Sequence, residues 1–229
     1  VSINSKDVKN ETIFFGIKGK KIDGNKFADE ALNNGAKIAI IDRKFGKINK
    51  NKIKVKNSLN LLTKCSAIVR KTSNINTIAI TGSSGKTSLK ELIGQSLSKI
   101  SSTCYSKKSY NNKYGVPLSL FNIKKKNTFG IFEAGMDKKG EIDKLTKLIS
   151  PNLAVITNVS YAHIKNFSSL NQIASAKSEI INNVLQGGTI VLNRDDIYFD
   201  YFKKKALRKN LKIISFGKKN NANVRLVSI

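Results

Sequence analysis

The segment Thr77-Ile-Ala-Ile-Thr-Gly82-Ser-Ser-Gly85-Lys86-Thr87-Ser88 limits the folds open to this chain more than any other. Its apolar, β-branched start reads as a buried strand, small residues follow, and a helix begins at Lys86. A strand that turns through glycines into a helix is a building unit of a parallel sheet. Backbone N–H groups at such a turn, with the positive end of the helix dipole, make an anion site. Gly82 and Gly85 allow close approach to phosphate oxygens, and Ser83, Ser84 and Ser88 lie on the same turn. Lys86 supplies a point charge, and the Thr87 hydroxyl is placed to meet Mg2+. The spacing is G-x-x-G-K-T, shorter than G-x-x-x-x-G-K-[ST], so the expectation of ATP binding rests on the strand–loop–helix context. The bland alternative is a glycine and serine turn that merely precedes a helix; the agreement of strand, glycines, Lys and Thr argues against it.

From residue 77 onward, short β-branched runs alternate with helical segments. Strands are expected at 77–81, 128–132, 152–157, 189–192 and 212–216, and helices at 86–99, 140–149, 170–185 and 197–209. Pro151 and Gly187-Gly188 act as stop signals. Residues before this differ, with short strands at 13–15, 36–41 and 53–55 and a helix at 26–34. The predicted fold class is α/β: a small N-terminal α/β domain over residues 1–72, then a mostly parallel P-loop-type sheet flanked by helices over 73–229, expected to be incomplete. The boundary is placed in the polar stretch Lys71-Thr-Ser-Asn-Ile-Asn76.

With 229 residues, 40% of them hydrophobic, the chain can build a real core. No run approaches the roughly 20 apolar residues of a membrane span, and the N-terminus lacks a signal-peptide core. A cytoplasmic protein without membrane insertion is expected. The chain opens on Val1 and its only methionine is Met136, so the natural start is expected to lie upstream. Cys65 and Cys104 stand apart, without metal or disulfide spacing. The net charge of +27 would ordinarily suggest a polyanionic partner. The cations are nearly all lysines, spread along the chain, with arginine only at 43, 70, 194, 208 and 225. No arginine forks cluster with aromatic platforms, so a solvated lysine surface is read and no nucleic-acid partner is expected.

At this point the chain resembles the Mur ligases over nearly its whole length. Ile80-Thr-Gly-Ser-Ser-Gly-Lys-Thr87 is similar to that family's shortened nucleotide loop. Tyr110-Asn111-Asn112-Lys-Tyr-Gly115-Val-Pro117-Leu-Ser-Leu120, Phe132-Glu133-Ala-Gly135-Met136 and Gly140-Glu141-Ile142 follow in the family's order. So do Ile156-Thr157-Asn158, Ala162-His163-Ile164 and Ala174-Ser-Ala176-Lys177-Ser-Glu179-Ile180. Within the family, the G-V-P-L and A-x-A-K-x-E-I pieces most resemble the branch that joins D-alanyl-D-alanine to UDP-N-acetylmuramoyl-tripeptide. Phe14-Phe15-Gly-Ile-Lys18-Gly19 and Asp23-Gly24-Asn-Lys-Phe27 resemble its uridine-nucleotide domain, which implies substrate contacts from Ser5, Lys18, Asp23 and Gly24. The opening Ser2-Ile-Asn4-Ser5-Lys6 departs from the family's S-x-D-S-R, losing an acid and a guanidinium. Asp137-Lys138-Lys139 stands where Asn and His are usual.

Phosphoryl transfer to a carboxylate needs a divalent metal, and Mg2+ wants oxygen ligands. Glu133 is a good candidate because it ends an apolar strand, where parallel sheets bind ligands; the bland alternative is an acid that caps a helix. His163 is the chain's only histidine; a lone histidine is more often structural, and it is the resemblance that implies a ligand. Lys177 falls in the apolar stripe Leu170, Ile173, Ala174, Ile180, Ile181 and Val184. Burial there depresses an amine's pKa and leaves it partly neutral, unless the side chain snorkels past the stripe to water. The resemblance implies that Lys177 is carbamylated and shares a metal with His163, while Thr87 and Glu133 hold another.

The resemblance further implies that ATP activates the tripeptide's terminal carboxylate as an acyl phosphate, which the amine of D-alanyl-D-alanine attacks. Lys86, His163 and Lys177 are the catalytic candidates, Asn111 and Asn112 would orient the acceptor, and Asn193 and Asp196 are candidates for nucleotide contacts. A monomer is expected. The resemblance implies an amine-bringing C-terminal domain that is expected to lie beyond Ile229, so the chain alone is expected to be inactive as a ligase. Three rivals remain open: a sister ligase adding diaminopimelate or lysine, or folylpolyglutamate synthase; a P-loop kinase sharing only the loop; and a basic binding module.

Overall fold

The computed structural model describes residues 1–45, 50–106, 109–161 and 166–227. They form two compact units, Val1–Thr72 with Leu120–Asn122, and Ser73–Ser119 with Ile123–Ile229. In the first, β1 (Thr12–Phe15), β2 (Ala36–Asp42) and β3 (Lys52–Val55) make a three-stranded parallel sheet in the order β1-β2-β3. The short helix α1 (Ala28–Asn33) lies against β2. Small residues permit that close packing: Ala28 and Ala31 of the helix meet Ala36 and Ala39 of the strand, with Phe14 and Ile41 completing the core. A 3-10 turn over Gly24–Phe27 replaces the first turn of the helix expected at 26–34, because Asp23 caps that turn through Asn25 N–H. Sequence patterning also passed over α2 (Ser58–Thr72).

The second unit is built on a seven-stranded sheet in the order β10-β9-β8-β7-β4-β6-β5, parallel throughout. Its strands are β4 (Asn76–Thr81), β5 (Thr103–Tyr105), β6 (Phe129–Glu133), β7 (Leu153–Ile156), β8 (Thr189–Asn193), β9 (Lys212–Gly217) and β10 (Val224–Arg225). The intervening helices are α3 (Lys86–Ser98), α4 (Gly115–Phe121), α5 (Glu141–Ile149), α6 (Leu170–Lys177), α7 (Glu179–Asn182) and α8 (Phe199–Arg208). The central strands are apolar on both sides, as a sheet covered on both faces requires. Ile80, Ile131 and Val155 form a core against Leu89, Ile93 and Leu97 of α3. After β4 the chain runs out to the edge strand β5, returns as β6, and then crosses to β7 on the other flank of β4. The carboxyl end of β4 is therefore a topological switch point, where open α/β sheets leave a crevice.

Two expectations are corrected here. The helix expected over 170–185 is two helices: α6 stops at Lys177, and α7 runs only to Asn182. Ser178, at the junction, donates its hydroxyl to Ser175 O (2.6 Å), a local bond that competes with helix continuation. The strand expected over 128–132 is shifted to Phe129–Glu133, which places Glu133 inside the ladder opposite Ile80. α5 ends as expected before Pro151, with Ser150 left-handed (φ 47°) and its N–H returning to Thr146 O.

Candidate functional site at the β4 switch point

Beyond Thr81 the chain turns into α3 through two glycines needed for different reasons. At Gly82 (φ 150°) a Cβ would lie 1.8 Å from Thr157 Oγ1, so the position is closed by space as well as by backbone conformation. Gly85 has open space but takes a left-handed φ of 78° as the residue that begins α3. The loop is braced by the residues after β7. Ser83 N–H donates to Asn158 O (3.0 Å), Ser84 N–H donates to Asn158 Oδ1 (3.0 Å), and Thr157 Oγ1 donates to Ser84 O (2.7 Å). Ser83 Oγ is joined to Ser160 through O (3.0 Å) and N–H (2.9 Å). Ser83 and Ser84 thus spend their amides on the loop's own support, and Thr157 and Asn158 have a bracing role that the sequence did not assign.

The anion-facing capacity lies one step on. The first intrahelical bond of α3 is Leu89 N–H to Gly85 O (2.9 Å), so the amides of Lys86, Thr87 and the exposed Ser88 fall in the first turn, where a helix offers no acceptor. The Lys86 ammonium folds over the loop and donates to Gly82 O (2.8 Å) and Ser83 O (3.4 Å). Burial pulls its pKa below the ordinary lysine value, and the Glu133 carboxylate opposes that shift.

Glu133 ends β6 with its side chain wholly buried. Its Oε2 accepts from Thr87 Oγ1 (3.2 Å), and Thr87 Oγ1 also meets Ser109 Oγ (3.1 Å). Oε1 lies 3.3 Å from Lys90 Nζ, within ion-pair range, yet the angle is wrong for a hydrogen bond and Oε1 has none. A buried carboxylate oxygen without a donor suits a hard cation. Among the described residues no group of three or more His, Cys, Asp or Glu side chains could hold a metal. A cation beside Thr87 and Glu133 would therefore complete its shell with non-protein oxygens, the habit of Mg2+ at phosphate sites.

Lys177, at the C-terminal end of α6, is 1% exposed, so it does not snorkel to water. Burial, reinforced by the positive charge of Lys86, lowers its pKa to about 7. Lys86 is thus electrostatically coupled both to Glu133 and to Lys177. The backbone around Lys177 is tied to α5 by Glu179, which accepts from Gly140 N–H (2.7 Å) and Asp143 N–H (3.1 Å). That anchoring role was not assigned from sequence, and neither was Lys90, fully buried on α3. The helical period that singled out Lys177 would have found Lys90, which adjoins the Leu89, Ile93 and Leu97 row.

The other candidates are placed as follows. His163 lies outside the described residues. Asn112 Oδ1 accepts from Tyr114 and Gly115 N–H (3.0 Å each), starting α4. Asn111 O accepts from Gly135 N–H (2.8 Å), just past β6. Asn193 Nδ2 donates to Thr157 O (3.2 Å), and the Asp196 carboxylate accepts from Val159 N–H (2.7 Å) and Tyr198 N–H (2.8 Å). Asn193 and Asp196 therefore brace the segment that in turn braces the phosphate loop. In the first unit, Ser5 is buried in a 3-10 turn, the backbones of Lys18 and Asp23 pair in an isolated antiparallel β-bridge, and Gly24 packs on the Ile17 backbone.

Comparison with known proteins gives two family matches: the Mur ligase middle domain over residues 80–229 and the Mur ligase family catalytic domain over residues 1–70. The chain is 35% identical over 231 residues to the UDP-N-acetylmuramoyl-tripeptide–D-alanyl-D-alanine ligase of Rickettsia prowazekii, covering 99% of this chain and 51% of that one. It is 33% identical over 225 residues to the same-named ligase of Buchnera aphidicola, covering 98% and 48%. Among solved structures it is similar to the MurF ligase of Thermotoga maritima in complex with ADP, with a TM-score of 0.80, 31% identity and coverage of 96% and 50%. The chain spans about half the length of these relatives.

Proposed function

The chain belongs to the Mur ligase family, and from that premise we propose that it is the nucleotide-binding part of an ATP-dependent ligase joining D-alanyl-D-alanine to UDP-N-acetylmuramoyl-tripeptide in peptidoglycan precursor synthesis. The relatives that bear this name, at 33–35% identity over nearly the whole chain, support the reading. In such a reaction the γ-phosphoryl group of ATP moves to a carboxylate oxygen and ADP leaves. The incoming amine then forms the C–N bond, releasing phosphate and a proton. Residues 1–72 serve as the uridine-substrate domain, with Ser5, Lys18, Asp23 and Gly24 on the substrate, and Asn111 orients the acceptor. The whole enzyme works in the cytoplasm as a monomer.

In this reading the chain's own residues contribute mainly position and charge. The free amides of the first turn of α3 hold phosphate oxygens, with Lys86 swinging from Gly82 O to meet them. Thr87 and Glu133 hold Mg2+, which when bound would neutralise charge developing on the transferred group. Lys177, with an amine whose pKa is about 7, is half neutral near neutrality and open to CO2: the N–C bond forms, a proton leaves, and an anion replaces a cation beside Lys86. That carbamate and His163 are the groups that would hold a second cation.

The observation that carries the reading is the grouping of Lys86, Thr87 and Glu133 at one glycine turn, with the charge of Lys86 acting on both Glu133 and the buried Lys177. Calorimetric titration of the 229-residue chain with ADP and Mg2+ tests it. Binding that falls at least tenfold in Lys86→Ala is expected; equal affinity in that variant, or no binding by the parent chain, would overturn it. The chain alone is expected to form no amide bond.

A further inference from the structure

Lys90 has no part in the proposed chemistry, yet it is among the largest fully buried side chains, at 0% exposure. It projects from α3 one turn beyond Lys86, with Nζ 3.1 Å from Glu91 Oε1, 3.3 Å from Glu133 Oε1 and 3.5 Å from Ser106 Oγ. Removing an ammonium from water is unfavourable unless its partners compensate, and an apolar side chain of similar volume would fill the same space without that cost. A buried lysine at such a place therefore suits a role in specifying geometry.

The two oxygens of the Glu133 carboxylate meet one face of one helix: Thr87 donates to Oε2 (3.2 Å), and Lys90, three residues on, lies against Oε1. Both contacts come from the helix that opens with the phosphate loop, so the acid's orientation is referred to the loop itself. Because Lys90 approaches Oε1 off the hydrogen-bonding direction, that oxygen keeps a lone pair uncommitted. We infer that Lys90 is a positioning residue for Glu133, fixing the carboxylate so that it could help hold a divalent cation when a nucleotide phosphate sits at the first turn of α3. The inference rests on the nucleotide and metal reading above, and adds to it a residue that touches neither ligand.

The test is the ratio of ADP affinities with and without Mg2+, measured by calorimetry on the 229-residue chain. In the unaltered chain Mg2+ tightens ADP binding. In Lys90→Met the tightening is expected to fall at least fivefold, while metal-free ADP affinity changes less than twofold. A purely structural role would lower the unfolding midpoint and leave the ratio intact, and an intact ratio in folded Lys90→Met overturns the inference. Should Lys90→Met not fold, because Glu133 is left unpaired, Glu133→Gln is compared with Lys90→Met/Glu133→Gln, which removes both charges. The two are expected to share one ratio within twofold; a further loss of threefold or more in the double variant would show Lys90 acting without Glu133 and overturn the inference. Absence of any Mg2+ effect in the unaltered chain would instead sink the metal reading, taking the inference with it.

Discussion

The two units treat buried polar groups in opposite ways. In the first, the groups close on each other. Asp23 accepts from Asn25 N–H (3.1 Å) and Nδ2 (2.7 Å), and Asn25 Oδ1 accepts from Asp42 N–H (2.9 Å). Asp42 Oδ1 accepts from Ser58 N–H (2.7 Å), and Ser58 Oγ donates to Gly16 O (2.5 Å). In the second unit, around the glycine turn, an acid oxygen is buried without a hydrogen bond, a lysine has lost much of its affinity for a proton, and Lys86 rests on its own loop's carbonyls. A satisfied network stabilises one conformation. An unsatisfied one holds interaction energy in reserve for a ligand, at a cost in stability. Substitutions in the first unit should therefore cost stability and leave nucleotide binding alone, whereas around the turn they should cost binding, whatever they do to stability.

Glycines give the sharpest contrast and the largest effects. Gly82→Ala puts a methyl 1.8 Å from Thr157 Oγ1, so we expect a stability loss of about 3–5 kcal/mol in denaturant titration and no measurable ADP binding. Retained ADP affinity would break the assignment of the loop. Gly24→Ala in the first unit drives a methyl to 2.6 Å from Ile17 O, a backbone atom that cannot easily yield. It should cost about 2–4 kcal/mol while ADP affinity stays within twofold. Next in size is Asp42→Ala, which removes the acceptor of Ser58 N–H. Denaturant titration should record a loss of about 1–3 kcal/mol, again with unchanged ADP affinity; a stability change below about 0.5 kcal/mol would show that the network is not the scaffold described.

Legibility followed the same division. The strands of the second unit were readable because a sheet covered on both faces forces unbroken β-branched runs, as in Thr77-Ile-Ala-Ile-Thr81. β5 and β10 were not, since a three-residue and a two-residue edge strand are defined by their neighbour and leave no pattern of their own. α4 was hidden by Gly115 and Pro117, yet Pro117 sits in its first turn, where a missing N–H removes no intrahelical bond. α2 carries Thr63, Ile68 and Val69 among polar residues and buries little beyond Ser58, Leu62 and Ser66, so its stripe is faint. At the site, strand ends and the helical period located Glu133 and Lys177. Lys90 is legible by the same period, since it adjoins the Leu89, Ile93 and Leu97 row, but no motif marks it. The hydrogen bonds that divert Ser83 and Ser84 into bracing join residues about 75 positions apart in sequence and have no local signature.

A pH-dependent effect bears most directly on the contrast, because Lys177 is a buried group that should weaken the fold it belongs to. Its folded pKa of about 7 lies below the ordinary lysine value of 10.5. A lowered amine pKa means that the unfolded chain holds the proton more tightly, so the cost to stability is full below the folded value and fades as pH rises toward the unfolded one. In CO2-depleted buffer, the stability of the unaltered chain relative to Lys177→Met should therefore rise between pH 7 and 10, by at most about 1.4 kcal/mol per pH unit. Near pH 7 the variant should be the more stable of the two, although it lacks the group proposed to serve a metal. Adding bicarbonate should narrow that difference for the unaltered chain alone, since a carbamate removes the cation from beside Lys86. A flat difference across this range would mean that Lys177 titrates as an ordinary solvated lysine. The turn would then lose its strongest claim to differ from the self-satisfied network of the first unit.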